Sequence, residues 1–478
     1  MQAATDAIES RLHHLEKHLA QENPVLLKAV QSFRKLDRVA QRMGLLPWEE
    51  SFATRISWWP LIAILGTFSA GKSTFINSYL GQKLQRTGNQ AVDDRFTVIC
   101  YSHEQTSYAL PGVALDADPR FPFFRVSRDI EQVAAGEGVR IDAYLQLKTC
   151  ASENLRGKIL IDSPGFDADS QRDSTLRLTE HIVDLSDLVL VLFDARHPEP
   201  GAMRDTLEHL VARTIHRPDA GKFLFILNQI DTAAREDNPE EVIAAWQRSL
   251  GDKGLTTGRY YAVYDREASV PIDDPTLKER FERKRDVDSE EIYGRIRQVG
   301  VERAYRIVGT LEKTARDIQD KAVPALNEAL AQWHRLVLRW DAVILGIGTL
   351  VFLYLHLSGA LKGPLRILES VLGSNFWYGL GGLMAVLALV VHFTFRTLMT
   401  HWVAKQLRQR PPLFSVGNAL TQAFLYNTRS IHSLFFATPK GWGGRARGHI
   451  RDVLQDTNRY VQQLNDRFTN PSGVSRHE

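Results

Sequence analysis

Gly66, Gly71, Lys72 and Ser73 stand at the spacing G-x-x-x-x-G-K-S. These residue types at that spacing suit a polyphosphate, which needs many hydrogen-bond donors and little side-chain bulk. Glycine lets the backbone curl until its N–H groups converge on the phosphates. The loop from Gly66 through Ser69, Ala70 and Gly71 to Thr74 is therefore the expected nucleotide cradle. Lys72 should reach the β/γ-phosphates, and the Ser73 hydroxyl should ligate Mg²⁺. The flanks agree. Leu61–Leu65 is an apolar run that reads as a strand, and Thr74–Leu80 reads as a helix whose N-terminus adds partial positive charge.

Two further motifs follow apolar runs. Lys158–Ile161 ends in Asp162-Ser163-Pro164-Gly165, and Phe223–Leu227 ends in Asn228-Gln229-Ile230-Asp231. Asp162 supplies a carboxylate beside Mg²⁺, through water, and Gly165 places a backbone N–H where a γ-phosphate would lie. A carboxylate at Asp231 can accept two hydrogen bonds from the N1–H and N2–H₂ edge of guanine. Each motif alone occurs by chance; in this order, each after a strand, they are specific. Phe96–Tyr101, Tyr144–Leu147 and Leu188–Phe193 extend the alternation of strands and helices from Trp58 to Val263. That alternation predicts a mostly parallel α/β sheet with its chemistry at the strand C-termini.

Over Pro60 to Val263 the sequence resembles the GTPase superfamily, and within it the dynamin-like large GTPases. Gly66-Thr67-Phe68-Ser69-Ala70-Gly71-Lys72-Ser73 is similar to the dynamin-type P-loop. Ile161-Asp162-Ser163-Pro164-Gly165 is similar to the bacterial dynamin-like and mitofusin form of the third motif. Asp94-Arg95-Phe96 and Leu192-Phe193-Asp194-Ala195-Arg196 resemble the EH-domain ATPases. The resemblance implies a catalytic pair, Ser69 and Lys72, with Ser69 positioning the attacking water and a monovalent cation. Phe166 stands where Ras-like enzymes carry a catalytic Gln, and an apolar side chain cannot orient water. Two positions depart from the family. Alignment on Asp94-Arg95-Phe96 puts Val92-Asp93 where switch I carries a Thr pair, and Gln229 replaces the usual Lys. The implied cofactors are GTP and Mg²⁺, with ATP kept as the alternative that the EH-domain likeness brings.

The remaining chain must position and anchor this unit. Residues up to Met43 carry a helical apolar stripe, Ile8, Leu12, Leu15 and Leu19, resuming after Pro24 and ending at Gly44 and Pro47. The charged run Lys278–Asp286 reads as a solvated connector. From Glu290 to Leu338 the helical pattern returns, with Gly300 and Pro324 as expected kinks. Ala342–Leu361 and Phe376–Phe395 are each 20 residues without a charge, the length that crosses ~30 Å of hydrocarbon. Trp340, Trp377, Tyr378 and Trp402 lie near their ends, as interfacial aromatics do. His356 and His392 lie inside the spans. Arg335 and Arg339 precede the first span, and Arg396, Lys405, Arg408 and Arg410 follow the second, against only Lys362 and Arg366 between them. That bias puts both termini in the cytoplasm. Arg451–Phe468 is helical again. The chain opens without an apolar signal segment. Its two cysteines, Cys100 and Cys150, have no metal spacing, and a net charge of +3 gives no argument for nucleic acid.

The expected architecture is an α/β P-loop GTPase domain plus an α-helical bundle stalk and a two-helix transmembrane hairpin. Its parts are residues 1–50 and 398–478, stalk helices from the two ends; 58–275, the GTPase domain; 283–340, the central stalk; and 341–397, the hairpin. The expected function is that of a membrane-anchored GTPase with membrane lipid as partner, a homodimer through its G domains or a higher oligomer. It would couple GTP hydrolysis to tethering, fusion or fission. The alternatives are a membrane-bound regulatory switch that recruits a protein, and a structural role without hydrolysis. Nucleotide-binding residues are Gly66, Ser69, Ala70, Gly71, Lys72, Ser73, Thr74, Gly165, Asn228, Gln229 and Asp231; metal ligands are Ser73 and Asp162.

Overall fold

A computed structural model of the chain describes residues 2–67, 69–87, 95–117, 120, 131, 141–165, 173–196, 220–235, 239–252, 259–360, 363, 367, 370, 376–409, 419–429, 436 and 438–468. Phe68, the Val92-Asp93-Asp94 register, Phe166 and most of the connector 362–375 lie outside them, as do the side chains of His356 and Trp377. The chain forms two compact units: residues 6–28 with 53–308 and 461–478, and residues 1–5 with 29–52 and 309–460.

The first unit is built on a sheet of eight strands among the described residues. They are β1 (Leu61–Gly66), β2 (Phe96–Tyr101), β3 (Ala109–Pro111), β4 (Leu145–Cys150), β5 (Ile159–Asp162), β6 (Leu188–Asp194), β7 (Phe223–Asn228) and β8 (Arg259–Val263), in the order β3-β4-β2-β5-β1-β6-β7-β8. The block β5-β1-β6-β7-β8 is parallel, while β2 runs antiparallel to β5 and β3 antiparallel to β4. Every residue of β1, β5, β6 and β7 is buried, as expected for strands covered on both faces. Parallel register then sets the chemistry side by side: Ile64 pairs with Asp162, Gly66 with Leu192, and Asp194 with Asn228.

Helix α1 (Gln2–Glu22) and helix α2 (Pro24–Met43) are separated at Asn23, with Pro24 in the first turn of α2, where its missing N–H costs little. Helix α3 (Lys72–Leu80) follows β1, and α4 (Asp173–Leu185) and α5 (Pro239–Asp252) follow β5 and β7. Phe75 and Ile76 of α3 share a core with Ile62 and Leu190 of the sheet and with Ile292 and Ile296. Those last two belong to α6 (Pro275–Arg316), which corrects the connector reading. The charged run is already helix: Arg283 pairs with Glu279 and Lys284 with Asp288 one turn apart, and Phe281 is buried. Gly300 does not interrupt α6 either; it is partly covered in mid-helix. At the start of β1 the buried Asp187 accepts from Leu61 N–H and pairs with Arg303 and Arg306 of α6. The terminal helices join this unit: Tyr305 Oη donates to Asn465 Oδ1, and Arg467 donates to Asn23 Oδ1.

The second unit is helical. A π-helical turn, Asp317–Ala322, leads into α7 (Val323–Leu357). Pro324 sits in the first turn of α7, so the widened turn absorbs the donor that proline lacks. Helix α8 (Phe376–Arg408) runs antiparallel to α7: Gln332 bonds Gln406, the Trp333 indole N–H points to Arg396 O at 3.4 Å, and Trp340 stacks on Phe395. At the edge of the uncharged spans, His392 Nδ1 lies 2.6 Å from Asp341 Oδ2. Helix α9 (Ala419–Thr428) and helix α10 (Gly444–Phe468) complete the bundle. Ser32 of α2 bonds Tyr460 at 2.9 Å, Lys35 bonds Asp456, and Asn427 donates to Met43 O. Segments more than 380 residues apart in the chain are thus packed together.

Candidate nucleotide-binding site

β1 ends at Gly66 and α3 starts at Lys72, so five residues must turn the chain between them. Gly71 makes that turn at φ +80°, the left-handed region that favours glycine. A Cβ at Gly71 would lie 2.3 Å from Asn228 Nδ2, so bulk is excluded as well. At Gly66 a Cβ would lie 2.7 Å from Leu192 O of the neighbouring strand. Ser69 also has positive φ, 63°, which for a residue with a Cβ stores roughly 1–3 kcal/mol of strain. Such strain needs holding, and the loop is held by the motif on β7. Asn228 Nδ2 donates to Ala70 O at 2.9 Å, and Gln229 Nε2 donates to Ser69 O at 2.7 Å. Gln229 thus performs a tie to the loop although it is not the usual Lys. It too is left-handed, φ 64°, with its carbonyl fixed by Thr232 N–H and Oγ1.

Lys72 folds back over the loop, its ammonium donating to Gly66 O at 3.0 Å and Thr67 O at 3.2 Å. Burial pushes its pKa down, and the nearby Asp162 charge opposes that shift. A phosphate placed here would replace two neutral carbonyls with anionic oxygens, which restores the charged form. Ser73 and Thr74 open α3 and are partly covered. Their amides belong to the first turn, which has no intrahelical acceptors. Gly165, three residues past the end of β5, is also partly covered.

Asp162 is buried, and its position is set by residues the sequence motifs do not mark. Gln85 Nε2 donates to Asp162 Oδ2 at 2.6 Å, and Lys148 donates to the other end of the same amide. Gln85 is held in turn by Asn77 of α3, which accepts from Leu84 and Gln85 N–H and donates to Gln85 O. Asn77 and Gln85 were missed because their role exists only once α3, the following turn and β5 have met. Ser73 and Asp162 offer a hydroxyl and a carboxylate, hard oxygen donors in the small number that Mg²⁺ takes from protein while keeping waters and phosphate oxygens. The residues fit that ion. Among the described residues no group of three or more His, Cys, Asp or Glu is placed to hold a metal ion.

Asp231 is buried at the far end. Its Oδ2 accepts from Val270 N–H at 2.7 Å, in the segment after β8. Burial raises its pKa, while the Val270, Asp231 and Thr232 amides and the Arg196 charge lower it. Arg196 lies two residues past the end of β6. Its guanidinium clasps Asp194 through Nε and Nη2, and Nη2 also lies 3.5 Å from Ser69 O. One cation therefore reaches both Asp194 at the end of β6 and the loop between β1 and α3. The structure brings together the loop, Asp162 and the Asn228–Asp231 motif at the C-terminal ends of β1, β5 and β7.

A model of the dynamin family matches residues 62–230. Residues 62–230 are a dynamin-family GTPase domain. This dynamin-family domain carries the P-loop, the Asp162–Gly165 motif and most of the Asn228–Asp231 motif. Over 268 residues the chain is 27% identical to EH domain-containing protein 1 of Homo sapiens, covering 54% of this chain and 46% of that protein. Over 227 residues it is 25% identical to "Probable transmembrane GTPase FZO-like, chloroplastic" of Arabidopsis thaliana, covering 47% of this chain and 20% of that one. The chain thus spans less than half the length of these curated relatives. A solved structure of an oligomerised bacterial dynamin pair, described for long-range sensing and tethering of membranes, is 12% identical with a TM-score of 0.32, over 98% of this chain and 79% of that one.

Proposed function

We propose that the chain is a membrane-anchored dynamin-like GTPase that couples GTP binding and hydrolysis to G-domain pairing and membrane remodelling, by tethering, fusion or fission. The observation that carries this reading is a phosphate cradle in a dynamin-family domain, on the same chain as two long apolar helices left open to their surroundings. Leu350 of α7 is 67% exposed and Leu389 of α8 is 55% exposed. A soluble core hairpin would bury such side chains.

The amides from Gly66 to Thr74 and the Lys72 ammonium bind the phosphates. Ser73 and Asp162 hold Mg²⁺, which when bound offsets charge on the β/γ-oxygens. Gln85 keeps the Asp162 carboxylate oriented. Gly165 N–H reports on the γ-phosphate, and Asn228, Gln229 and Asp231 fix the base. Ser69 positions the attacking water, on a loop whose carbonyls are pinned by Gln229 and Asn228. Asp187 gives the P-loop strand a fixed connection to Arg303 and Arg306 of α6. A shift of β1 on nucleotide binding is therefore felt directly in that helix. On this reading residues 1–50, 283–340 and 398–478 form the stalk, 58–275 the GTPase domain and 341–397 the hairpin, with both termini and the GTPase domain cytoplasmic.

Ser69→Ala should leave nucleotide affinity near wild type and lower kcat by about 10²-fold, a typical loss for one transition-state contact. Steady-state turnover with a parallel binding titration separates the two, and an unchanged kcat would remove Ser69 from the chemistry. Anchoring has its own test. Alkaline carbonate washing of membranes from expressing cells should leave the chain in the pellet. Its appearance in the supernatant would mean that α7 and α8 do not span.

A further inference from the structure

Helix α8 changes character along a single face. Val386, Leu389, Val390 and Phe393 of α8 line a shallow, open apolar hollow of about 630 Å³. Phe393 and Thr397 also line the next cleft, of about 780 Å³, so the two are continuous. In that cleft Arg396, Thr400, Ala404 and Arg408 of α8 follow one another at steps of four residues, with Lys405 three before Arg408, which keeps them on one side of a helix. Helix α9 adds Leu425 and Thr428, and Arg429 lies just beyond its end. The cleft therefore has four permanent cations, Arg396, Lys405, Arg408 and Arg429, and no carboxylate among the described residues that line it.

The cations differ in setting. Arg396 is 7% exposed, donates to Thr428 O and lies over the Trp333 ring, which fixes its charge at the floor of the cleft. Lys405, Arg408 and Arg429 are exposed at its rim. Among the described residues none of the three is paired with a carboxylate. Trp402, on the same helix, is half exposed, as an interfacial aromatic would be. Lys405 and Arg408 follow it by three and six residues, about 5 and 9 Å along the axis, beyond the uncharged stretch that ends at Phe395. An apolar face opening into a basic cleft is complementary to a molecule with a long hydrocarbon tail and an anionic phosphate head.

We propose that this face of α8, closed by the end of α9, binds a single anionic phospholipid, its acyl chain along Val386–Phe393 and its phosphate among Arg396, Lys405, Arg408 and Arg429. The inference rests on the reading of α8 as membrane-spanning. It deepens that reading by naming the lipid class and the contact that ties the end of the span to α9. A bound head group would join the two helices through charge-assisted hydrogen bonds.

The test uses the full chain, purified in detergent and delipidated, with phosphatidylglycerol or phosphatidylcholine added and retained lipid counted by native mass spectrometry. The wild type should retain one phosphatidylglycerol and discriminate against phosphatidylcholine. The joint variant Lys405→Gln, Arg408→Gln, Arg429→Gln, which leaves the buried Arg396 in place, should lose phosphatidylglycerol affinity at least about tenfold. The same charge removed at the exposed positions Lys278, Lys313 and Arg451 should have no effect. Equal retention of the two lipids, or an unaffected rim variant, would overturn the site. So would competition by inorganic phosphate as strong as that by unlabelled phosphatidylglycerol, which would make it a site for a soluble anion. Carbonate extraction is read separately: release from the membrane refutes the spanning helix, whereas a retained chain without lipid selectivity refutes only the cleft.

Discussion

Lys72→Ala is expected to abolish measurable GTP turnover, with a loss of at least about 10²–10³-fold. The reason is local. Lys72 is the P-loop ammonium, already drawn over the loop to Gly66 O and Thr67 O. No other side chain on the loop between Gly66 and Thr74 carries positive charge. Alanine removes the cation that meets the developing phosphate charge and leaves both carbonyls without that donor. Binding of a fluorescent GTP analogue should fall together with turnover, since the ground-state phosphates lose the same partner. Circular dichroism should remain native, because the apolar faces of β1 and α3 are untouched. A variant that still turns over GTP at the wild-type rate would show that the loop is not the site.

The second large effect concerns the base. In Asp231→Asn one carboxylate oxygen becomes an NH₂ donor. The amide oxygen can still accept from Val270 N–H and from guanine N1–H, but the new donor faces the guanine N2 donor. An unmet donor in a dehydrated pocket costs ~1–3 kcal/mol, so GTP affinity should fall about tenfold or more at ~1.4 kcal/mol per decade. Xanthine carries an oxygen acceptor in place of that amine. Xanthosine triphosphate should therefore bind the variant better than GTP does, reversing the wild-type order in a competition titration. A variant that keeps its GTP affinity would show that Asp231 does not read the base.

What the sequence made legible was local. Strand, glycine loop and helix are contiguous around Gly66–Ser73, so their pattern survives without any knowledge of the fold. The Asp162 and Asn228 motifs are equally compact, each at the end of an apolar run that became a buried strand. Gln85 and Asn77 were not legible, since their amides matter only where a turn after α3 meets β5. Nor was the tie from Gln229 to Ser69 O, because it links residues 160 apart. β3 escaped for another reason: it is three residues long, exposed at every position and contains Pro111, so it carries no burial pattern. The charged start of α6 is largely exposed, as its composition implies, but it is helix rather than connector, and its ion pairs one turn apart are the helical signal.

Nucleotide turnover by the full chain, reconstituted into liposomes, tests the central claim most directly. GTP and ATP are compared over a range of protein concentrations, with and without membrane. The account predicts preferential GTP hydrolysis whose rate per molecule rises with protein density on the membrane, as G-domain pairing requires. Preferential use of ATP, or GTP turnover indifferent to both membrane and concentration, would contradict it.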